Sequence, residues 1–137
     1  MSLKPTKNIW FNGELVPWED AKVHVLSYAL HYGSAVFEGI RAYKTPDGTK
    51  IFRLKEHCKR LLNSAKIYRM KVPYDLDEIM NACRLIVTSN DLNNGAYIRP
   101  IAFRGYGDLG LHASLDEEVE TVIAAWEWGP YYDINKG

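Results

Sequence analysis

Short apolar runs separated by turn residues open the chain. The runs at 9–11 and 15–16 flank Asn12 and Gly13. Asn-Gly between two such runs is the strongest short-range signal for a tight β-hairpin, because both residues accept the positive φ that the turn requires. Pro17 cannot donate a ladder hydrogen bond, so it is expected to end the second strand or to lie on a sheet edge.

Later segments alternate between extended runs and turn chemistry. β-Strands are predicted at four further places: 35–43, 50–54, 96–103 and 118–126. The first two form a pair around the turn sequence Thr-Pro-Asp-Gly at 45–48. A short helical turn is expected at 27–33, where Gly33 stops it, and the glycine-rich segment 105–111 is expected to be a loop.

Two amphipathic helices are predicted in the middle of the chain, from 55 to about 68 and from 76 to about 89. Apolar residues recur at helical spacing on one face of each: Cys58, Leu61, Leu62, Ala65 and Tyr68 in the first, and Leu76, Ile79, Met80, Cys83, Ile86 and Val87 in the second. A capping box is expected before the second helix, with Asp75 at its first place and Glu78 at its fourth. Strands on both sides of a helix pair indicate an α+β fold, a largely antiparallel sheet with the two main helices packed on one face.

Composition and charge limit the functions that this fold can have. The 137 residues suffice for one domain with a real core, and 47% hydrophobic with 25% charged residues is typical of a globular protein. Acidic and basic residues balance at 17 each, so the chain carries no electrostatic footprint of a nucleic-acid or membrane-surface partner. Aromatic residues make up 12%, and at this density some are expected to line a pocket or an interface.

The placement of cysteine and histidine argues against a metal site or a disulfide scaffold. Cys58 and Cys83 form no CxxC pair and lie on apolar helix faces, so they are expected to be core residues. The four histidines are dispersed, and none forms a recognisable nucleophile–base pair. No apolar segment has the length of a signal-peptide core or a membrane span, so a cytoplasmic location is expected.

Several motifs stand in order along the chain: HYGSAVFEGIRAY at 31–43, IFRL at 51–54 followed by Glu56-His57 and Arg60-Leu61, AYIRP at 96–100, and Trp128-Gly129 with Tyr131. In this order and spacing the chain closely resembles the small domain of branched-chain amino-acid aminotransferases, fold-type IV enzymes that use pyridoxal 5'-phosphate. The resemblance implies a small domain at 1–127, the start of an interdomain linker at 128–137 and a large catalytic domain outside this chain. It also implies transamination between leucine, isoleucine or valine and 2-oxoglutarate, with glutamate as an amino donor.

The resemblance gives Arg60 the role of holding the phosphate of the cofactor. A guanidinium suits this role, because it stays charged and can donate two parallel hydrogen bonds to a dianion. Spacing alone also permits an ordinary solvated ion pair between Glu56 and Arg60, which are four residues apart on the predicted helix. The family match favours the phosphate contact.

The resemblance places Tyr97 and Arg99 on the strand floor of the substrate pocket, where Arg99 meets the side-chain carboxylate of glutamate. An arginine flanked by Tyr97, Ile98 and Pro100 must reach a polar partner or solvent, because a lone buried charge is expensive. An edge-strand arginine that extends into water is the competing interpretation. The sequence by itself does not separate the two.

The resemblance implies three further walls for an aliphatic side chain: Phe37, Trp128 and Tyr131. Branched aliphatic substrates offer no polar handle, so their selection depends on apolar shape. Tyr32 is implied to reach in from the neighbouring subunit, and Leu109 and Leu111 to contact the partner subunit's site, so at least a homodimer is expected. For each aromatic residue taken alone, a place in the core is the competing interpretation.

The resemblance also points to a group that the chain lacks. None of its ten lysines stands where the family places its Schiff-base lysine, so no catalytic residue is assigned. The chain alone is expected to be inactive and not to retain pyridoxal phosphate. Two alternatives stay open: a D-amino-acid aminotransferase or aminodeoxychorismate lyase of the same fold, and a non-enzymatic dimerisation module.

Overall fold

The computed structural model describes residues 3–112, 114 and 117–128. Their strands, in chain order, are β1 (Asn8–Phe11), β2 (Glu14–Pro17), β3 (Ala35–Phe37), β4 (Ile40–Thr45), β5 (Gly48–Ile51), β6 (Ala96–Arg104) and β7 (Val119–Trp126). Their helices are α1 (Tyr28–Tyr32), α2 (Leu54–Ile67) and α3 (Leu76–Ser89), with a 3-10 turn at Trp18–Asp20. The short helical turn and both main helices lie where the sequence predicted them.

The described strands form one antiparallel sheet in the order β2-β1-β7-β6-β4-β5, and β3 pairs with β6 beside β4. The predicted hairpin is confirmed, because β1 and β2 pair around Asn12 and Gly13, whose φ angles are 48° and 94°. The side-chain oxygen of Asn12 accepts a hydrogen bond of 2.8 Å from the backbone N–H of Thr121, which ties this turn to β7. Pro17 is the last residue of β2, at one edge of the sheet, as expected.

β3 and β4 run along the same side of β6 as one strand with an interruption at Glu38 and Gly39. The register continues across the interruption, since the residues on both sides of it pair in step with β6. The continuous strand predicted at 35–43 is therefore wrong at this point. Glu38 donates its backbone N–H to the Pro100 carbonyl (3.0 Å), but Pro100 has no N–H with which to complete the pair.

The connection from β5 to α2 is shorter than predicted. The sequence predicted a strand at 50–54, but β5 ends at Ile51 and α2 begins at Leu54. Arg53 has a φ of 50°, in the left-handed region, so an extended strand cannot continue through it. The end of the predicted strand is thus a turn that leads directly into the helix.

The apolar faces of α2 and α3 form the core as their periodicity predicted. Their buried residues are Leu54, Cys58, Leu61 and Ala65 on α2, and Ile79, Ala82, Cys83, Ile86 and Val87 on α3. The capping box is confirmed, because Asp75 and Glu78 each accept a hydrogen bond of 2.8 Å from the other's backbone N–H. Tyr68 is 53% exposed and not part of this face, because α2 ends one residue before it.

The sheet has two faces with different surroundings. One, the helix face, carries the core residues that pack with α2 and α3, among them Ala96, Ile98, Ala102, Ile123 and Ala125. The other, the open face, carries residues that are only partly buried: Tyr97, Arg99 and Ile101 of β6, and Val122, Ala124 and Trp126 of β7. The expected α+β fold, with two helices on one face of a largely antiparallel sheet, is confirmed.

Candidate active site

An arginine framed by aromatic rings stands on the open face. Arg99 lies in the middle of β6, between β7 and the β3–β4 strand, so its interpretation as an edge-strand arginine is wrong. Its Cζ atom is 4.3 Å from the centroid of the Phe37 ring and 5.3 Å from that of the Tyr97 ring. Its Nη2 donates a hydrogen bond of 2.8 Å to the Tyr97 hydroxyl. A cation at these distances from two rings is attracted by both of them.

The hydrogen bonding of this arginine is incomplete. The Nε of Arg99 is buried and finds no acceptor among the described residues. A buried donor without an acceptor is unfavourable, and more so on a charged group. The open face therefore carries a cation with one buried donor that the described residues leave unsatisfied.

Three aromatic side chains form one stack beside the arginine. The centroid of the Tyr97 ring is 5.0 Å from that of Trp126 and 5.1 Å from that of Trp128. Gly39 faces this stack from the neighbouring strand: a Cβ atom on it would overlap the Tyr97 hydroxyl and lie 3.0 Å from Cζ of that ring. The absence of a side chain at this position lets Tyr97 reach Arg99.

Arg60 of α2 lies on the other side of the β3–β4 strand from Arg99, beside the helix face. Glu38 follows Phe37 directly and turns its side chain toward α2, because successive strand residues point to opposite faces. Arg60 donates from Nε to Glu38 Oε1 (2.6 Å) and from Nη2 to Oε2 (2.7 Å). The Glu38 side chain is 5% exposed and the Arg60 side chain 68% exposed. The competing interpretation, an ion pair between Glu56 and Arg60, is wrong, since Arg60 pairs with Glu38 and Glu56 pairs with Arg53.

His57 completes this ion-pair cluster. His57 lies one helical turn before Arg60 on α2, and its Nδ1 is 2.8 Å from Oε2 of Glu38. Burial alone would raise the pKa of Glu38, but the hydrogen bonds and charges of Arg60 and His57 outweigh burial and hold that pKa below its ordinary value. The hydrogen bond and charge of Glu38 in turn raise the pKa of Arg60. The cluster thus keeps a buried carboxylate ionised beneath an exposed guanidinium.

A second group of predicted site residues lies around α1 and the loop after β6. The Tyr32 hydroxyl donates a hydrogen bond of 3.1 Å to the Leu109 carbonyl. The centroids of the Tyr32 and Tyr28 rings are 4.6 Å apart, and Tyr28 is buried. Leu111 is 82% exposed. The structure therefore joins Tyr32 with Leu109 and leaves Leu111 on the surface of the same loop.

Arg104 anchors the base of that loop. Its side chain is 6% exposed and donates hydrogen bonds to three backbone carbonyls: from Nη1 to Ser114 (3.1 Å), and from Nη2 to Tyr68 (3.3 Å) and Arg69 (3.4 Å). Its Nη1 is also 3.9 Å from Oε2 of Glu117. One buried guanidinium thus connects the loop after β6 to the end of α2.

The residues predicted from the sequence fall into three places. The open face gathers four of them, Phe37, Tyr97, Arg99 and Trp128. Arg60 lies beside the helix face, and the α1 region holds Tyr32, Leu109 and Leu111. Tyr131 lies outside the described residues. Sequence reasoning missed the roles of Glu38, Gly39, Trp126 and Arg104. A lone acid inside the apolar strand at 35–43 was the one available signal for Glu38.

Metal centres and membrane-spanning helices are not found in the part of the chain that the structure describes. No three histidine, cysteine, aspartate or glutamate side chains of these residues gather where they could hold a metal ion. Of the helices within the same residues, none has both the length and the apolar character needed to cross a bilayer.

Comparison with known proteins identifies relatives of the chain. The family model described as Amino-transferase class IV matches residues 35–135. The branched-chain-amino-acid aminotransferase of Escherichia coli (strain K12) is 50% identical over 131 residues, which are 96% of this chain and 42% of that protein. A crystal structure of the Escherichia coli branched-chain amino acid aminotransferase superposes with a TM-score of 0.89 at 48% identity, covering 95% of this chain and 42% of that one. The branched-chain amino acid aminotransferase from Thermobaculum terrenum, solved in its PLP-form, gives a TM-score of 0.81 at 34% identity, covering 92% of this chain and 41% of that one.

These matches define the class of protein: the chain belongs to the class IV aminotransferase family. Within that family, the relatives just described are branched-chain-amino-acid aminotransferases, as the motifs predicted, and those proteins are enzymes. The chain spans about 42% of the length of those relatives and matches the fold-type IV small domain in their N-terminal part. Aminotransferases of this class use pyridoxal phosphate.

The residues present fit one part of that cofactor. Arg60 carries an exposed guanidinium whose Nη1 makes no hydrogen bond to the described residues, while Glu38 engages Nε and Nη2. A phosphate dianion needs such a charged donor, and the free edge of the guanidinium provides it. The donor set of this cluster therefore suits the phosphate group.

Proposed function

We propose that the chain is the part of a pyridoxal-phosphate-dependent branched-chain transaminase that holds the cofactor's phosphate and forms one side of the substrate pocket. The reaction exchanges the amino group between leucine, isoleucine or valine and 2-oxoglutarate, with glutamate as the reverse donor. The observation that carries this proposal is Arg99, a cation framed by Phe37 and Tyr97 whose buried Nε lacks an acceptor among the described residues.

This arrangement suits two chemically different side chains in one pocket. The rings of Phe37, Tyr97 and Trp128 offer apolar surface to a branched aliphatic group, which is selected by shape. The guanidinium of Arg99 offers charge-assisted hydrogen bonds to the side-chain carboxylate of glutamate. Because rings border the cation, an aliphatic group meets mainly carbon, while a carboxylate can reach the nitrogen atoms. Tyr131 is proposed as a further wall of the same pocket.

The phosphate end of the cofactor is proposed to lie against Arg60. When bound, pyridoxal phosphate supplies the electron sink that transamination requires. Residues 36–39 lie on the outer strand of the sheet, because β3 pairs with β6 on one side and with no second strand among those described. A ligand at this edge can meet Arg60 on one side of the strand and Phe37 on the other.

The residues around α1 are proposed to act across a subunit interface, Tyr32 at the neighbouring subunit's pocket and Leu109 and Leu111 at its rim. Exposure supports this proposal, because Tyr32 is 47% exposed and Leu111 82% exposed. An apolar groove of about 320 Å³ runs beside them on the open face, lined in part by Leu30 and Phe103. An apolar surface of this kind favours burial against another subunit, so a homodimer is proposed.

The division into a small domain at 1–127 and a linker from 128 is also proposed, as is a cytoplasmic location. Residues 1–137 alone are proposed to be inactive. No lysine among the described residues hydrogen-bonds to Arg99 or Arg60 or to their partners. The family resemblance implies a Schiff-base lysine outside residues 1–137, and the same placement is proposed for the complete enzyme.

The test of this proposal compares two amino donors in the protein made from its complete reading frame. Arg99→Ala is expected to lower kcat/KM for glutamate about 10- to 100-fold, the value of a charge-assisted hydrogen bond, and to change kcat/KM for leucine much less. Arg84→Ala serves as the control, because Arg84 is an exposed arginine on α3 whose side chain bonds to Asn81, away from the open face. Equal losses for glutamate and leucine would remove the carboxylate-binding role of Arg99. Activity with D-amino acids alone would favour the D-amino-acid aminotransferase alternative, and no transamination with any donor would favour a dimerisation module.

A further inference from the structure

The hydrogen bonds of Glu38 restrict the guanidinium of Arg60 on one edge. Both carboxylate oxygens are engaged, Oε1 by Nε of Arg60, and Oε2 by its Nη2 and by His57. The carboxylate is itself fixed, because Glu38 is 4% exposed and its backbone N–H is bonded to the Pro100 carbonyl. Arg60, by contrast, has a 68% exposed side chain whose long stem has many rotamers in water.

We infer that Glu38 is a positioning residue for the anion-binding guanidinium of Arg60. This inference rests on the proposed function of Arg60 as the phosphate contact. Glu38 engages Nε and Nη2 and leaves Nη1 without a hydrogen bond to the described residues, so the guanidinium is oriented before the phosphate arrives. A guanidinium that is already oriented loses less conformational entropy when the phosphate binds.

The charge of Glu38 acts in the opposite direction and has to be weighed against this gain. The negative charge of the Glu38 carboxylate repels a phosphate dianion, while the guanidinium that lies between them attracts the phosphate. The two effects predict opposite signs for removal of the carboxylate: loss of orientation weakens phosphate binding, whereas loss of repulsion strengthens it. Because the carboxylate holds two nitrogens of Arg60 at 2.6 and 2.7 Å and its charge is offset by that guanidinium and by the hydrogen bond with His57, we expect the loss of orientation to dominate.

Two substitutions separate orientation from charge. Glu38→Gln keeps the size of the side chain but removes the charge and, because its amide nitrogen cannot accept, one of the two hydrogen bonds from Arg60. Glu38→Asp keeps the charge but is one methylene shorter, so it cannot hold both nitrogens of Arg60 with the present backbone. The orientation role predicts that both variants weaken phosphate binding, whereas a purely electrostatic role predicts tighter binding in Glu38→Gln and no change in Glu38→Asp.

The measurement is the dissociation constant of the complete apoenzyme for two ligands, pyridoxal phosphate and pyridoxal, which lacks the phosphate, followed by absorbance. We expect the constant for pyridoxal phosphate to rise about tenfold in both Glu38 variants, the entropy of one restrained arginine, with the constant for pyridoxal unchanged. In the Arg60→Ala background, Glu38→Gln should cause no further loss, because the residue that it positions is gone. Arg53→Gln, which removes an exposed arginine paired with Glu56 just before α2, is the matched control and should bind both ligands as the parent does.

The outcomes distinguish this inference from the function on which it rests. If Arg60→Ala changes the constants for the two ligands equally, the phosphate role of Arg60 fails, whatever Glu38 does. If Arg60→Ala weakens pyridoxal phosphate selectively but a folded Glu38 variant binds it as well as the parent or better, the positioning role of Glu38 is overturned and the phosphate role stands. Additive losses in the double variant would also overturn it. Thermal melting of the apoenzymes shows which variants are folded, and Glu38→Asp decides the question if Glu38→Gln is not.

Discussion

The contact between Gly39 and Tyr97 gives the sharpest test of how the open face is built. Gly39→Ala adds a Cβ atom that overlaps the Tyr97 hydroxyl and lies 3.0 Å from Cζ and 3.4 Å from Cε2 of the ring. The ring has little room to retreat, because Trp126 and Trp128 pack on it at 5.0 and 5.1 Å. Any movement of the hydroxyl also stretches its 2.8 Å hydrogen bond with Arg99.

The expected cost follows from this overlap. Adding a methyl group to a packed site costs about 1–3 kcal/mol of unfolding free energy, and rigid neighbours keep the cost in the upper part of that range. Tyr97→Phe removes the overlapping oxygen, so that the nearest ring atom is Cζ at 3.0 Å, still tight but no longer impossible. The penalty of Gly39→Ala should therefore fall by at least about 0.5 kcal/mol in the Tyr97→Phe background.

Urea unfolding of the full chain, monitored by tryptophan fluorescence, measures all four corners of this double-mutant cycle. Gly107→Ala is the matched control, because a Cβ atom at Gly107 meets nothing within 4 Å and should change stability by less than about 0.5 kcal/mol. Additive penalties for Gly39→Ala and Tyr97→Phe would refute the reasoning, since the two positions would then not share a contact. If Gly107→Ala lowers the free energy of unfolding as much as Gly39→Ala does, the loss in both variants comes from the backbone and not from a clash with Tyr97.

Two further predictions concern the turn of the first hairpin and the ionised carboxylate. Asn12→Ala should cost about 1–3 kcal/mol in urea unfolding, because the backbone N–H of Thr121 loses its acceptor and φ at residue 12 is positive. Asn12→Gly also removes the acceptor but accepts the positive φ, so it should cost less; equal costs would contradict the part of the penalty assigned to the backbone. Because the pKa of Glu38 is lowered in the folded state, the folded state binds fewer protons than the unfolded state at mildly acidic pH. The contribution of Glu38 to stability is therefore present above the ordinary glutamate pKa of about 4.3. It is lost as pH falls through the lower pKa of the folded state. Urea midpoints measured between neutral and acidic pH should show this loss in the parent and a weaker one in Glu38→Gln; identical pH profiles would contradict the pairing.

Local chemistry made most of the fold predictable. The Asn-Gly turn, the helical spacing in α2 and α3 and the capping box of Asp75 and Glu78 are each determined by residues close in sequence, and the structure confirms all three. The error at 35–43 came from a contact between distant segments, whereas the strand predicted at 50–54 ends early because of the local positive φ of Arg53. The interruption of the strand at 35–43 depends on Pro100, which removes a donor from the opposite strand sixty or so residues later.

The candidate site shows the same division. Motif resemblance selected Phe37, Tyr97, Arg99 and Trp128, and the structure gathers these four side chains on the open face. The partner of Arg60 was not predictable from its helix, since helical spacing offers only Glu56 and the tertiary fold alone brings Glu38 to α2. Gly39 was equally hidden, because its importance lies in the Tyr97 side chain that occupies its empty space.

The alternation of Phe37 and Glu38 has a consequence for which changes in chain length this protein can tolerate. Neighbouring residues of one strand face opposite ways, so the insertion or deletion of a single residue between Ala35 and Phe37 would exchange their sides. The aromatic ring would enter the space beside α2, and the acid would stand next to Arg99 and neutralise it. Loops elsewhere in the chain can lengthen without such an effect, but the residue count of this segment is fixed by two contacts on opposite surfaces of one sheet, the cation–π contact of Phe37 with Arg99 and the ion pair of Glu38 with Arg60.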